Sequence, residues 1–129
     1  MKYLSIVLFF ISYHTFAQSQ FEMNSDAADA LQKSEKKLSE LIVKIHKLYV
    51  SDTVFIKNFN QSQKIWIEFL GAEMLMKFPE REPGYYGSVQ PLCWMHCEKS
   101  LIDERIAKLK LWTQERIEGE ACNGSIGTF

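Results

Sequence analysis

The chain has 129 residues, 47% of them apolar, with 15 basic and 16 acidic side chains for a formal charge of −1. This composition specifies one small folded domain, excludes a disordered chain and leaves no room for two domains. It lacks the strongly basic character that nucleic-acid binding normally requires, so no polyanionic partner is expected.

Residues 1–17 read as a signal peptide. Met1-Lys2 is a positive start, Tyr3 to Ser12 an apolar stretch, and Thr15-Phe16-Ala17 a small-x-small site, which places cleavage between Ala17 and Gln18. The apolar stretch is about half of the roughly 20 residues needed to cross a bilayer, so no membrane span is expected after cleavage. No cysteine follows closely enough to carry a lipid. The expected mature chain, residues 18–129, has 14 basic and 16 acidic groups and is periplasmic or secreted.

From Asn24 the apolar positions Ala27, Leu31, Leu38, Leu41, Ile45 and Leu48 follow steps of four and three, with Ser34 the one polar break. This spacing predicts an amphipathic helix, with Asn24 and Ser25 as capping types. Lys33, Lys36, Lys37, Glu40, Lys44 and Lys47 fall on the opposite face, and His46 is assigned to that solvated side.

After Ser51-Asp52, another capping pair, the spacing resumes with Phe55, Phe59, Trp66, Phe69, Leu70 and Met76. It stops at Phe78-Pro79, because proline disfavours a helical residue before it. The short connection between the first two helices implies antiparallel packing. Gln63 and Glu73 lie on or near the apolar stripe, and a polar group there is expected to be hydrogen-bonded between helices.

Residues 79–99 hold all three prolines and two of the six glycines and show no sustained period. They read as a long loop, and loops beyond about 12 to 15 residues tend to be functional. The candidate binding residues are therefore Glu80, Glu82, Tyr85, Tyr86 and Trp94, which join aromatic anchors to acidic groups. The competing reading of the aromatics is that they cap the open end of the helical bundle.

Ser100-Leu101-Ile102-Asp103 is a variant of the capping box. It predicts a third helix running through Ile106, Leu109, Trp112 and Ile117 to Gly119, followed by an irregular tail. The expected fold is all-α: a small bundle of three helices with a long loop before the last helix and one disulfide.

Cys93-Trp94-Met95-His96-Cys97 places three soft-metal ligands within five residues. The second ligand pair of a structural zinc site is missing, and the order is not that of haem attachment, so no metal or cofactor is expected. In an exported chain a disulfide is favoured. With the third helix over 101–118, about 27 Å long, Cys122 lies past its far end, and a loop running back would bring Cys93 to it. Cys93 with Cys122 is the favoured pair, with Cys97 free; Cys93 with Cys97 is the competitor.

Enzyme motifs are absent: there is no Gly-x-Ser-x-Gly, no His-Glu-x-x-His and no phosphate-binding glycine loop. Glu73, Glu80 and Glu82 are carboxylates of the kind glycosidases pair, yet three helices do not supply walls for a sugar polymer. The chain is expected not to be an enzyme.

Several stretches together resemble the bacterial LprI-like lysozyme-inhibitor domain. They are Asn24 to Ala28, Gln63-x-x-Trp66-x-x-Phe69-x-x-Ala72-Glu73, Tyr86-Gly87-Ser88, Cys97-x-x-x-Leu101-x-x-x-Arg105-x-x-x-Leu109 and Glu118-Gly119-Glu120-x-Cys122-x-Gly124-Ser125. The resemblance implies a small exported helical domain with one cysteine bridge, a protein partner, and inhibition of lysozyme as the namesake activity. The chain departs from the family at Phe69-Leu70-Gly71-Ala72-Glu73, where relatives read Phe-Arg-Asp-Ala-Glu, and at Met74, where many carry a cysteine. The bridge from the second helix to the Cys97 segment is therefore missing, which favours Cys122 as a bonding partner. The function implied is occlusion of a muramidase cleft; the alternative is a non-catalytic envelope module with another partner.

Overall fold

In a computed structural model the chain forms three helices, α1 (Lys2–Leu48), α2 (Thr53–Lys77) and α3 (Gln90–Leu109). Short 3-10 turns follow at Lys110–Thr113 and Ala121–Asn123, and no strand occurs among the described residues. The structure describes residues 2–129, with side chains from residue 19 onward. The expected signal peptide over residues 1–17 and its cleavage after Ala17 lie outside the residues described in full.

The helices run up, down and up. Ser34 of α1 meets Asp103 of α3, and the end of α1 meets the turn that follows α3, so these two helices are parallel. Gln63 of α2 meets Arg105, and Phe78 at the end of α2 meets Trp94 near the start of α3, so α2 is antiparallel to α3. The core consists of Leu38, Ile45, Tyr49, Phe59, Ile102, Ile106 and Leu109. Each such side chain contributes roughly 1.5–3 kcal/mol by leaving water.

α1 follows the apolar stripe: Ala27, Leu38 and Ile45 are buried, and Leu31, Leu41 and Leu48 pack at the margin. Its polar break is satisfied, since the buried Ser34 hydroxyl donates to Asp103 Oδ1 at 2.8 Å. α2 begins where Asp52 accepts from the Phe55 amide at 2.9 Å and ends before Pro79.

Two expectations about α3 are corrected. It starts at Gln90, not Ser100, so residues 90–99 are helix and the connection shrinks to residues 78–89. Pro91 falls in the first helical turn, where its missing N–H costs nothing. The period was present as Leu92, Met95, Ile102, Ile106 and Leu109, with the half-buried Lys99 as its polar break. Asp103 is not a capping partner of Ser100; it accepts from Ser34 and, at 2.5 Å, from Lys99 Nζ. α3 also stops at Leu109, well before Gly119. The next residues, Lys110–Thr113, tighten into a 3-10 turn that lies against the end of α1 and packs Trp112 on the core.

His46 is likewise not a solvated residue. Its ring packs edge-on against Phe59 at 5.4 Å, in the seam between α1 and α2, and Nε2 is buried with no hydrogen-bond partner among the described residues.

The tail is tied down by Tyr49, a residue that the helical spacing does not single out. Tyr49 is 1% exposed, stacks on Phe55 at 4.0 Å, donates its hydroxyl to Ser125 O at 2.8 Å and accepts from the Gly127 amide at 3.0 Å. Burial raises its pKa, so the hydroxyl stays protonated as the donor to Ser125. Gly127 has φ +69, and a Cβ there would lie 2.4 Å from the Arg116 amide nitrogen, so only glycine fits.

Tyr49→Phe keeps the ring in the core but removes both tail bonds, and is expected to cost about 1–2 kcal/mol. Gly127→Ala is expected to release the same strap. In hydrogen exchange both variants should lose protection at residues 125–129 while the helices keep theirs; retained protection would contradict the strap.

The Asp103 carboxyl is held below the ordinary carboxylate pKa, first by the Lys99 bond and then, against partial burial, by Ser34. A depressed pKa contributes stability above the unfolded value near 3.9 that disappears as pH falls through the folded value. Ser34→Ala is expected to lose roughly 0.5–1 kcal/mol in urea unfolding at pH 7, and the gap should narrow below about pH 4. A gap independent of pH would contradict the charged bond.

Candidate functional site

Residues 78–89 fold around the Phe78 ring. Gly84 and Gly87, at φ +84 and +73, permit two successive turns, closed by Tyr85 N–H to Glu82 O at 3.1 Å and Gly87 N–H to Gly84 O at 3.0 Å. The Tyr86 hydroxyl donates to Pro79 O at 2.7 Å, which ties the two ends of the loop. Phe78 then contacts Tyr86 at 5.8 Å and Trp94 at 5.6 Å between ring centres, so loop and α3 share one aromatic anchor.

Glu80, Glu82, Tyr85, Tyr86 and Trp94 all border one open hollow of about 490 Å³. They divide by role. Tyr86 and Trp94 are half-buried and build the loop, and Trp94 belongs to α3, where its indole N–H donates to Glu98 at 3.2 Å. Tyr85 is 67% exposed and stands edge-on to Tyr86, with the Arg81 guanidinium 5.7 Å from its ring. The carboxylates of Glu80 and Glu82 are exposed, and neither is in an ion pair among the described residues.

The cysteines are not bridged, contrary to the expected Cys93–Cys122 pair and to its Cys93–Cys97 competitor. Because α3 starts at Gln90, Cys93 sits in the first helical turn rather than on a returning loop. It is separated from Leu109 by about 24 Å of helix at 1.5 Å per residue. Cys122 belongs to the tail, which Tyr49 holds at the opposite end. Cys93 and Cys97 lie one turn apart beside Glu73 and His96 in a hollow of about 780 Å³ between α2 and α3. No group of three metal-ligating side chains occurs among the described residues.

Gln63 and Glu73 part company. Gln63 is buried, and its Oε1 accepts from Arg105 Nε at 2.9 Å and from Arg105 Nη2. Nη2 also donates to Ser62 Oγ at 3.0 Å, and the guanidinium lies 5.7 Å from the Trp66 ring. Burial lowers the Arg105 pKa, but a guanidinium stays charged at neutral pH. Glu73 is half-buried at the Cys97 hollow.

Arg105 is the residue that sequence reasoning left without a role. The signal was available: a polar break at Gln63 requires a partner, and Arg105 flanks the apolar stripe of the facing helix. Gly71, where the resemblance led to the expectation of an aspartate, faces open space. Met74, where it led to the expectation of a cysteine, is buried at 2% exposure and fills its position by packing.

Among curated proteins and among solved structures nothing matches this chain. A family model described as "Lysozyme inhibitor LprI" matches residues 14–109, a span that includes the Gln63–Trp66–Arg105 contact and the entire aromatic loop, and the chain belongs to that family.

Proposed function

We propose that the chain is an exported, non-catalytic binding domain that inhibits a lysozyme-type muramidase by placing the loop of residues 78–89 across its cleft. Family membership supports the class of activity. The observation that carries the loop assignment is the joining of an outward Tyr85 and two exposed carboxylates, Glu80 and Glu82, to a base anchored by Tyr86, Phe78 and Trp94. An exposed aromatic beside acidic groups suits a basic partner, and a loop ordered in advance loses little entropy on binding. The signal peptide expected over residues 1–17 supports a periplasmic or secreted location. No helix among the described residues is long and apolar enough to cross a membrane.

The second reading, a non-inhibitory envelope module, is favoured by the outer face of α2, where Ile65, Phe69 and Met76 are exposed at helical spacing. A turbidity assay of cell-wall lysis with hen-type and goose-type lysozymes separates the two. Micromolar protein is expected to slow lysis and to co-elute with the enzyme on a sizing column. Unchanged lysis with no complex would remove the inhibitor reading.

Tyr85→Ala should leave the helical signal intact, since the ring is exposed, and weaken inhibition at least tenfold. Equal inhibition by this variant would take the loop out of the interface.

A further inference from the structure

An open cleft of about 450 Å³ lies between the first turns of α2, the end of α3 and the tail, lined among others by Phe55, Phe59, Leu109, Trp112 and Arg105. It is about 30 Å along α2 from the aromatic loop, at 1.5 Å per residue. Its walls are largely apolar, and its one cation is uncompensated. The Arg105 bonds go to the neutral oxygens of Gln63 and Ser62, Nη1 takes part in none of them, and no carboxylate pairs with the guanidinium among the described residues. A partly buried charge without a counter-ion is costly, and a carboxylate would meet it with charge-assisted bonds. At the other end of the cleft Asp52 is already engaged with the Phe55 amide and would repel a second anion.

We propose that this cleft binds a monocarboxylate carrying an aromatic or aliphatic body, with the carboxylate on Arg105 and the body against Phe55, Phe59 and Trp112. Apolar walls with a single fixed charge are the usual composition of a small-ligand site. The carboxylate belongs either to a free organic acid or to the C-terminus of a peptide, and both present the same chemistry.

The test is a titration of the full chain, followed by amide chemical shifts, with 3-phenylpropionate and with its neutral amide. The acid is expected to shift residues 54–62 and 105–112 with a millimolar or better Kd, and the amide to bind at least tenfold more weakly. Arg105→Gln should abolish that preference. Asn58→Trp, an exposed substitution at the cleft wall that leaves the Arg105 bonds in place, should abolish binding of both probes. N-acetyl-Leu-Phe with a free or amidated C-terminus assigns the source: tighter binding than phenylpropionate by the free form alone indicates a peptide terminus, weaker binding a free acid. Equal binding of acid and amide, shifts confined to other residues, or no shifts at 10 mM would overturn the proposal.

Discussion

The contact of Arg105 with Gln63, Ser62 and Trp66 fixes how α2 and α3 lie against each other, and both candidate surfaces depend on that register. A slip of one turn would leave a buried amide oxygen and a half-buried guanidinium without partners, at a cost of about 1–3 kcal/mol for each unsatisfied group. In one direction the register sets Phe78 over Trp94, which gives the aromatic loop its base. In the other it leaves Arg105 facing the cleft beside Phe59 and Trp112. Arg105 is thus a structural clamp on one edge and an unneutralised charge on the other.

The remaining architecture holds this pair in place. Ser34 and Lys99 converge on Asp103, tying α1 to α3 where the two run side by side. Tyr49 closes the far end by gripping the tail, and the Gly127 backbone passes too close to Arg116 for any side chain. Neither device uses a covalent staple. The three cysteines lie unbridged, Cys93 and Cys97 in the first turns of α3 and Cys122 in the tail, so packing and a few long-range polar bonds carry the stability.

Asp52 and Pro79 mark the two ends of α2, and the α1 stripe needed only its spacing. Other single-residue signals did not hold: α1 runs through the expected caps Asn24 and Ser25, and neither Ser100 nor Gly119 bounds α3. The start of α3 was hidden because Pro91 and the nearby glycines resemble loop composition, and because Lys99 interrupts an otherwise regular stripe. The disulfide expectation failed with it, since a returning loop was the only route from Cys93 to Cys122. Tyr49, His46 and Arg105 acquire their roles from partners far away in sequence, which spacing alone does not reveal. Glu80, Glu82, Tyr85 and Tyr86 of the loop and Trp94 of α3 border one hollow because they share one stretch of chain. Their division into Tyr86 and Trp94 as builders and Tyr85 as the presented ring required the structure.

The central claim is that the loop meets the muramidase, and hydrogen exchange on the complex addresses it directly. With a saturating lysozyme present, amides within residues 78–89 should gain protection while those around Arg105 and the tail stay as they are in the free protein. Protection confined to the outer face of α2, or no change anywhere, would contradict the account.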